Sequence, residues 1–127
     1  MSTGTPGRRF LFAPETFNLG ETSRGVEVAR ALARAGHDVR FMGYSRTYAP
    51  YIREAGFDLD LLAPEVDDAL AAGFFAFEQG RSLRFPFTTH TVRTRVRNEL
   101  DLIARWQPDA VIIGTTLTAE PDRKSVV

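Results

Sequence analysis

The chain of 127 residues has no cysteine, two histidines and a single lysine. Without cysteine it has no disulfide, no thiolate catalysis and no cysteine-ligated metal. Two histidines argue against a histidine-based metal site, so we predict no bound metal. The longest apolar run, residues 69–77, has nine residues, whereas a membrane helix needs about 20. The polar segment 1–9 lacks the apolar core of a signal peptide, and we expect a cytoplasmic protein.

The chain also lacks an excess of either charge, with 16 basic and 16 acidic residues. This balance argues against binding nucleic acid or an anionic membrane over the whole surface, and we predict no nucleic-acid partner. The charges are nevertheless segregated, because residues 54–80 hold seven acids and no base, and residues 81–98 hold five arginines and no acid. Arginine clusters bind phosphates and carboxylates. The alternative is that these arginines pair with the acidic segment and face solvent.

What the chain does have is an alternation of short apolar runs and helical segments. Four strands are predicted, at residues 8–13, 39–43, 57–62 and 110–114. Helices are predicted at residues 26–35, 47–55, 65–78 and 91–106. In the last helix, one apolar stripe runs through Val92, Val96, Leu100, Ile103 and Trp106. Strand–helix alternation is typical of an α/β fold, so we predict a single Rossmann-like domain over residues 1–127, with three α/β/α layers and a mainly parallel sheet of four or more strands.

The predicted loop at residues 17–25 follows the first strand, at the end of the sheet where such folds bind ligands. Asn18 and Gly20 are candidate binding residues there, and the alternative is that Gly20 only shapes the turn. Glu21 is the one acid of the loop, placed to act as a base or to hold a hydroxyl. Alternatively, it complements the dipole of the helix that follows. Ser23 or Thr22 is the expected N-cap of that helix.

Further candidates come from the arginine-rich segment and from the end of the last strand. Arg84, Arg93 and His90 are candidate contacts to a ligand, with plain solvent exposure as the alternative for His90. Thr115 and Thr116 follow the last strand, and their hydroxyls are expected to face the same cleft as Glu21. Capping of a following helix is the competing role for the two threonines.

Several of these segments resemble a known enzyme family. Residues 8–14 and 20–41 resemble the start of GT-B glycosyltransferases, both of the macrolide and UDP-sugar type and of the lipid II-forming N-acetylglucosaminyltransferase type. In that family a Gly-His-x-x-Pro loop follows the first strand, and Gly-His-x-Val leads into the second, as Gly36 to Val39 do here. Residues 51–57 resemble the family's second helix and third strand, and residues 106–113 resemble its Pro-Asp-hydrophobic fourth strand.

The resemblance implies an acceptor-binding, N-terminal part of an enzyme that transfers a sugar from a nucleotide sugar to an acceptor hydroxyl. The family's loop histidine falls on Glu21, which is therefore the tentative base, and its proline falls on Arg24. The implied acceptor is a small molecule or a lipid-linked sugar. No cofactor is predicted, because the donor would bind mainly to a C-terminal domain missing here.

The same reasoning predicts that the chain is inactive alone. Its expected partners are a donor-domain polypeptide and a second copy that covers the unfinished edge of the sheet. The alternative function is a small Rossmann-like sensor module that binds a phosphorylated ligand through residues 81–97.

Overall fold

The computed structural model describes residues 7–78, 80 and 88–113. Its strands are β1 (Arg9–Ala13), β2 (Asp38–Gly43), β3 (Asp58–Leu61) and β4 (Ala110–Ile113). Its helices are α1 (Leu19–Arg34), α2 (Ala49–Glu54), α3 (Asp68–Glu78) and α4 (Thr89–Trp106). The strands form one sheet in the order β3-β2-β1-β4, and every neighbouring pair is parallel. The predicted Rossmann-like α/β fold is confirmed.

Side chains alternate between the two faces of the sheet and so build two apolar layers. On one face Phe12 and Phe41 stack with ring centroids 5.1 Å apart and pack against α1 and α2. On the other face Leu11 and Met42 pack against Leu102 of α4. The sheet therefore lies between helical layers, as predicted.

Helix α1 begins earlier than the sequence indicated. Asn18 is its N-cap, and the Asn18 side chain accepts a hydrogen bond from the backbone N–H of Glu21 at 3.1 Å. The prediction of Ser23 or Thr22 as the cap was wrong, because an asparagine four or five residues upstream already satisfies the first turn. Gly20 lies inside this first turn, so the loop after β1 is shorter than residues 17–25.

Helix α4 presents a different face to the sheet from the one its apolar stripe predicted. Val92, Val96 and Leu100 are exposed, at 37%, 47% and 58%, whereas Arg95 and Leu102 are buried. The predicted helix and its stripe are present, but these three residues do not face the core as an apolar stripe usually does, and Arg95, paired with Glu15, lies on the inner face instead. Within residues 7–78, 80 and 88–113, no helix is long and apolar enough to span a membrane.

Candidate functional site

A cleft of about 240 Å³ opens at the carboxyl ends of β1, β2 and β4, beneath α4. Open parallel sheets bind their ligands at this end, because the chain crosses to the other face there and leaves a crevice. The walls combine apolar side chains with four polar ones. The lining residues are Ala13, Pro14, Glu15, Met42, Tyr44, Arg95, Glu99, Ile103, Val111 and Ile113.

A buried ion pair joins two sides of the cleft. Arg95 Nη2 donates to Glu15 Oε1 at 2.8 Å, and both side chains are almost wholly shielded from solvent. Glu15 lies in the loop after β1, and Arg95 lies on the inner face of α4. Removing one partner of such a pair leaves a buried charge uncompensated, so the pair holds the loop and the helix together.

Tyr44 follows β2 and lies against the same pair. The Arg95 guanidinium carbon is 3.6 Å from the centroid of the Tyr44 ring, a cation–π contact. The Tyr44 hydroxyl donates to the Glu99 carboxylate and lies 3.2 Å from the backbone carbonyl oxygen of Arg95. Burial, and then the hydrogen bond to Glu99, raise the pKa of Tyr44 far above its usual range. Tyr44 is therefore a neutral hydroxyl and not a base.

The charges that line the cleft do not cancel. Glu15 and Glu99 contribute two carboxylates, and Arg95 contributes the one guanidinium among the lining residues. Because Glu15 and Arg95 neutralise each other, Glu99 supplies the uncompensated charge of the lining. This electrostatic environment disfavours a phosphate and favours a neutral ligand that carries hydroxyl groups.

The residues predicted in the loop after β1 lie beside the cleft, in the first turn of α1. The Glu21 carboxylate is buried and accepts a hydrogen bond from the Glu15 backbone N–H at 3.0 Å. Asn18 caps the helix, and Gly20 is exposed next to it. Glu21 is thus one hydrogen bond away from a residue that lines the cleft, and it also occupies the first turn, where the helix dipole favours a carboxylate.

The other predicted site residues are not gathered at the cleft. His90 and Arg93 are exposed near the start of α4. Arg84, Thr115 and Thr116 lie outside the described residues. Of the arginines in residues 81–97, Arg95 forms an ion pair with Glu15 in the loop after β1.

Sequence reasoning missed Glu15, Tyr44 and Glu99. Glu15 and Tyr44 each come just after a strand that ends at the same edge of the sheet. Arg95 and Glu99 are one helical turn apart, and Arg95 is seven residues before the buried Leu102, a spacing that places it on the inner face.

Within the described ranges, no group of His, Asp and Glu residues could hold a metal ion.

No protein-family model and no curated protein matches the chain. The solved structures that match include two glycosyltransferases from Streptomyces. The fold is similar to part of a glycosyltransferase. The glycosyltransferase SnogD from Streptomyces nogalater superposes with a TM-score of 0.58 and 26% identity, over 84% of this chain and 28% of SnogD. The glycosyltransferase SsfS6 from Streptomyces sp. SF2575 has a TM-score of 0.60 and 22% identity, over 84% of this chain and 33% of SsfS6.

The second likeness, at this lower identity, concerns the fold alone. The chain spans about a third or less of the length of either glycosyltransferase. Its architecture is therefore similar to one part of a glycosyltransferase fold.

Proposed function

We propose that this chain is the N-terminal, acceptor-binding part of a glycosyltransferase. The enzyme would transfer a sugar from a nucleotide sugar to a hydroxyl of a small-molecule acceptor. The observation that carries the proposal is the position of the cleft at the carboxyl edge of a sheet that is similar to part of two glycosyltransferases. Likeness of fold alone does not assign a function, so the chemistry of the cleft has to support it.

The cleft wall supports an acceptor more than a donor. Ala13, Met42, Ile103, Val111 and Ile113 offer apolar contact, and Glu99 offers a carboxylate that accepts a hydrogen bond from a hydroxyl. The diphosphate of a nucleotide sugar would meet uncompensated negative charge here. A volume of about 240 Å³ is small beside the roughly 300–1,000 Å³ of pockets that enclose a whole ligand. The cleft therefore holds the hydroxyl-bearing end of the acceptor.

Glu21 remains our candidate for the base. In the proposed reaction, its carboxylate takes the proton of the acceptor hydroxyl while that oxygen bonds to the anomeric carbon, and the nucleoside diphosphate leaves with the electron pair of the broken bond. The Glu21 carboxylate lies beside the cleft and outside its lining, where it accepts the 3.0 Å hydrogen bond from the Glu15 backbone N–H, so the acceptor hydroxyl would reach it at the Glu15 end of the cleft. Asn18 fixes the turn on which Glu21 sits.

Acceptor binding is testable by NMR titration of the ¹⁵N-labelled chain with 4-methylumbelliferone, a neutral aromatic molecule with one hydroxyl. We expect shifts at the amides of Tyr44, Glu99 and Ile113. UDP-glucose and glucose 1-phosphate, as donor and sugar-phosphate probes, should leave these amides unmoved. A response to glucose 1-phosphate at Arg93 and Arg97 alone would instead support the sensor function.

Ala13→Leu provides the decisive variant, because the larger side chain fills the cleft. It should abolish the shifts caused by 4-methylumbelliferone, whereas Ala104→Leu, at an exposed position of α4, should preserve them. Equal binding by the two variants would contradict the assignment of the cleft. Transfer of labelled sugar from UDP-glucose by the chain alone would contradict the expectation that a donor-binding polypeptide is required.

A further inference from the structure

Glu99 is a charged residue of the cleft lining that no ion pair neutralises within the described part of the chain. Arg95, one helical turn before it, places its guanidinium against Glu15 and over the Tyr44 ring instead. None of the ion pairs formed among the described residues includes Glu99. With two carboxylates and one guanidinium, the cleft lining therefore carries one net negative charge.

The Glu99 carboxylate is also only partly used in hydrogen bonding. Its Oε2 atom accepts a hydrogen bond from the Tyr44 hydroxyl. Its Oε1 atom accepts none from any residue within the described ranges, so it can accept from a donor on a ligand. Because Glu99 is partly buried in the cleft wall, water screens its charge less than on an open surface, and its attraction to a cation is stronger.

A ligand hydroxyl and a ligand ammonium group satisfy Glu99 to different degrees. A hydroxyl donates a hydrogen bond to Oε1 but leaves the net negative charge of the lining in place. A protonated amine donates the same hydrogen bond and cancels the charge, and such charge-assisted hydrogen bonds are stronger than neutral ones. A neutral acceptor is thus accepted where a phosphate is repelled, and a cationic acceptor is favoured over both.

We propose that the acceptor held in this cleft carries a protonated amine, which binds the Glu99 carboxylate, in addition to the hydroxyl that receives the sugar. The inference rests on the proposed function, because it describes the acceptor of the same cleft. The amine binds beside the Tyr44 hydroxyl, whereas the acceptor hydroxyl reaches Glu21 at the Glu15 end of the cleft. A protonated amine has no free electron pair, so it orients the acceptor and is not itself the nucleophile.

Three small probes of similar shape separate the effect of charge from the effect of shape. Tyramine, tyrosol and 4-hydroxyphenylacetate each carry a phenol hydroxyl, and at pH 7 their side groups are a protonated amine, a neutral hydroxyl and a carboxylate. Binding is followed by NMR titration of the ¹⁵N-labelled chain at the amides of Tyr44, Glu99 and Ile113. We expect tyramine to bind about tenfold more tightly than tyrosol, and 4-hydroxyphenylacetate to bind most weakly. This order is measured on the unmodified chain and does not depend on the folding of a variant.

Glu99→Gln tests whether this carboxylate causes the preference. The variant should bind tyramine and tyrosol equally, because the amide oxygen still accepts hydrogen bonds but carries no charge. The matched control is Asp101→Asn, which removes a carboxylate from an exposed position of the same helix. It should keep the preference for tyramine, and well-dispersed NMR spectra should show that both variants are folded.

The outcomes distinguish a failure of this inference from a failure of the proposed function. Equal binding of tyramine and tyrosol to the unmodified chain would overturn the amine but not the acceptor cleft. A preference that persists in Glu99→Gln, or that Asp101→Asn loses equally, would overturn the role of Glu99. If neither these probes nor 4-methylumbelliferone shift the three amides, the proposed function fails and the inference fails with it.

Discussion

At Gly43, the last residue of β2, the sheet comes closest to the loop that leads into α1. A Cβ atom there would lie 2.6 Å from Thr16 Cγ2 and 2.7 Å from Thr16 Oγ1. Thr16 has little freedom to move, because Oγ1 donates to the Ser45 carbonyl at 2.8 Å and accepts from the Ser45 backbone N–H at 3.0 Å. The glycine thus lets the loop that carries Glu15 lie directly against the strand.

Gly43→Ala should therefore destabilise the protein by about 1–3 kcal/mol, the usual cost of forcing an extra group into a packed site. Urea denaturation measures the loss of unfolding free energy. Gly20→Ala is the matched control, since a Cβ atom at Gly20 would meet its nearest neighbour at an ordinary 3.5 Å. Gly20 also lies in helix α1, where alanine is favoured over glycine by up to about 1 kcal/mol. Similar destabilisation by both variants would contradict the close contact.

Helix α4 illustrates how an element's orientation depends on more than its own periodicity. Leu102 is 1% exposed and packs with Leu11 and Met42, whereas Leu100 is 58% exposed. The helix is anchored at both ends by polar contacts that the apolar pattern does not include. Near its start Arg95 pairs with Glu15, and at its end the Trp106 carbonyl accepts a hydrogen bond from Arg9 at 2.6 Å.

Leu102→Ala should cost about 2–5 kcal/mol of unfolding free energy, because it opens a cavity beneath α4. Leu100→Ala should change the unfolding free energy by less than about 0.5 kcal/mol, because Leu100 is exposed. Thermal or urea denaturation of the two variants measures both losses of unfolding free energy and so tests which face of α4 is buried. A larger loss of unfolding free energy in Leu100→Ala than in Leu102→Ala would show that the apolar stripe is the buried face of α4.

The stability of the whole molecule should depend on pH through an ion pair across β2 and β3. Arg40 Nε donates to Asp60 Oδ2 at 2.7 Å, and Arg40 Nη2 donates to Asp60 Oδ1 at 3.0 Å. The hydrogen bonds from Arg40 lower the pKa of Asp60. A carboxyl whose pKa is lower in the folded state stabilises that state above its unfolded pKa, about 3.9. This stabilisation is lost as the pH falls through the folded-state pKa.

Asp60→Asn should therefore lower the melting temperature at pH 7 and have a smaller effect at the acidic end of a series from pH 7 to pH 2. The contribution should be about 1 kcal/mol or less, because both side chains are partly exposed. The control is Asp58→Asn, since Asp58 lies 3.6 Å from Arg40 and is 82% exposed. An effect of Asp60→Asn that is the same at every pH would contradict the role of the charge.

For the molecule as a whole, the sequence indicated the fold well and the site only in part. The order of strands and helices and the parallel sheet could be predicted from local patterns. The end of α1 could be predicted too, since Gly36 adopts a positive φ of 92°, a conformation that favours glycine. Glu21 was identified as a candidate and lies beside the cleft. Glu15, Tyr44 and Glu99 were not, because they lie far apart in the chain and acquire meaning only when β1, β2 and α4 meet.

The sequence by itself therefore determined which segments become strands and helices, since periodicity, proline and glycine act within a few residues. Only the tertiary structure decided which face of α4 turns inward. That choice depends on a partner for Arg95 that lies 80 residues away in the chain. Because a buried charge requires compensation, Arg95 can occupy the inner face of α4 only where Glu15 meets it, and with this face inward Val92, Val96 and Leu100 are exposed.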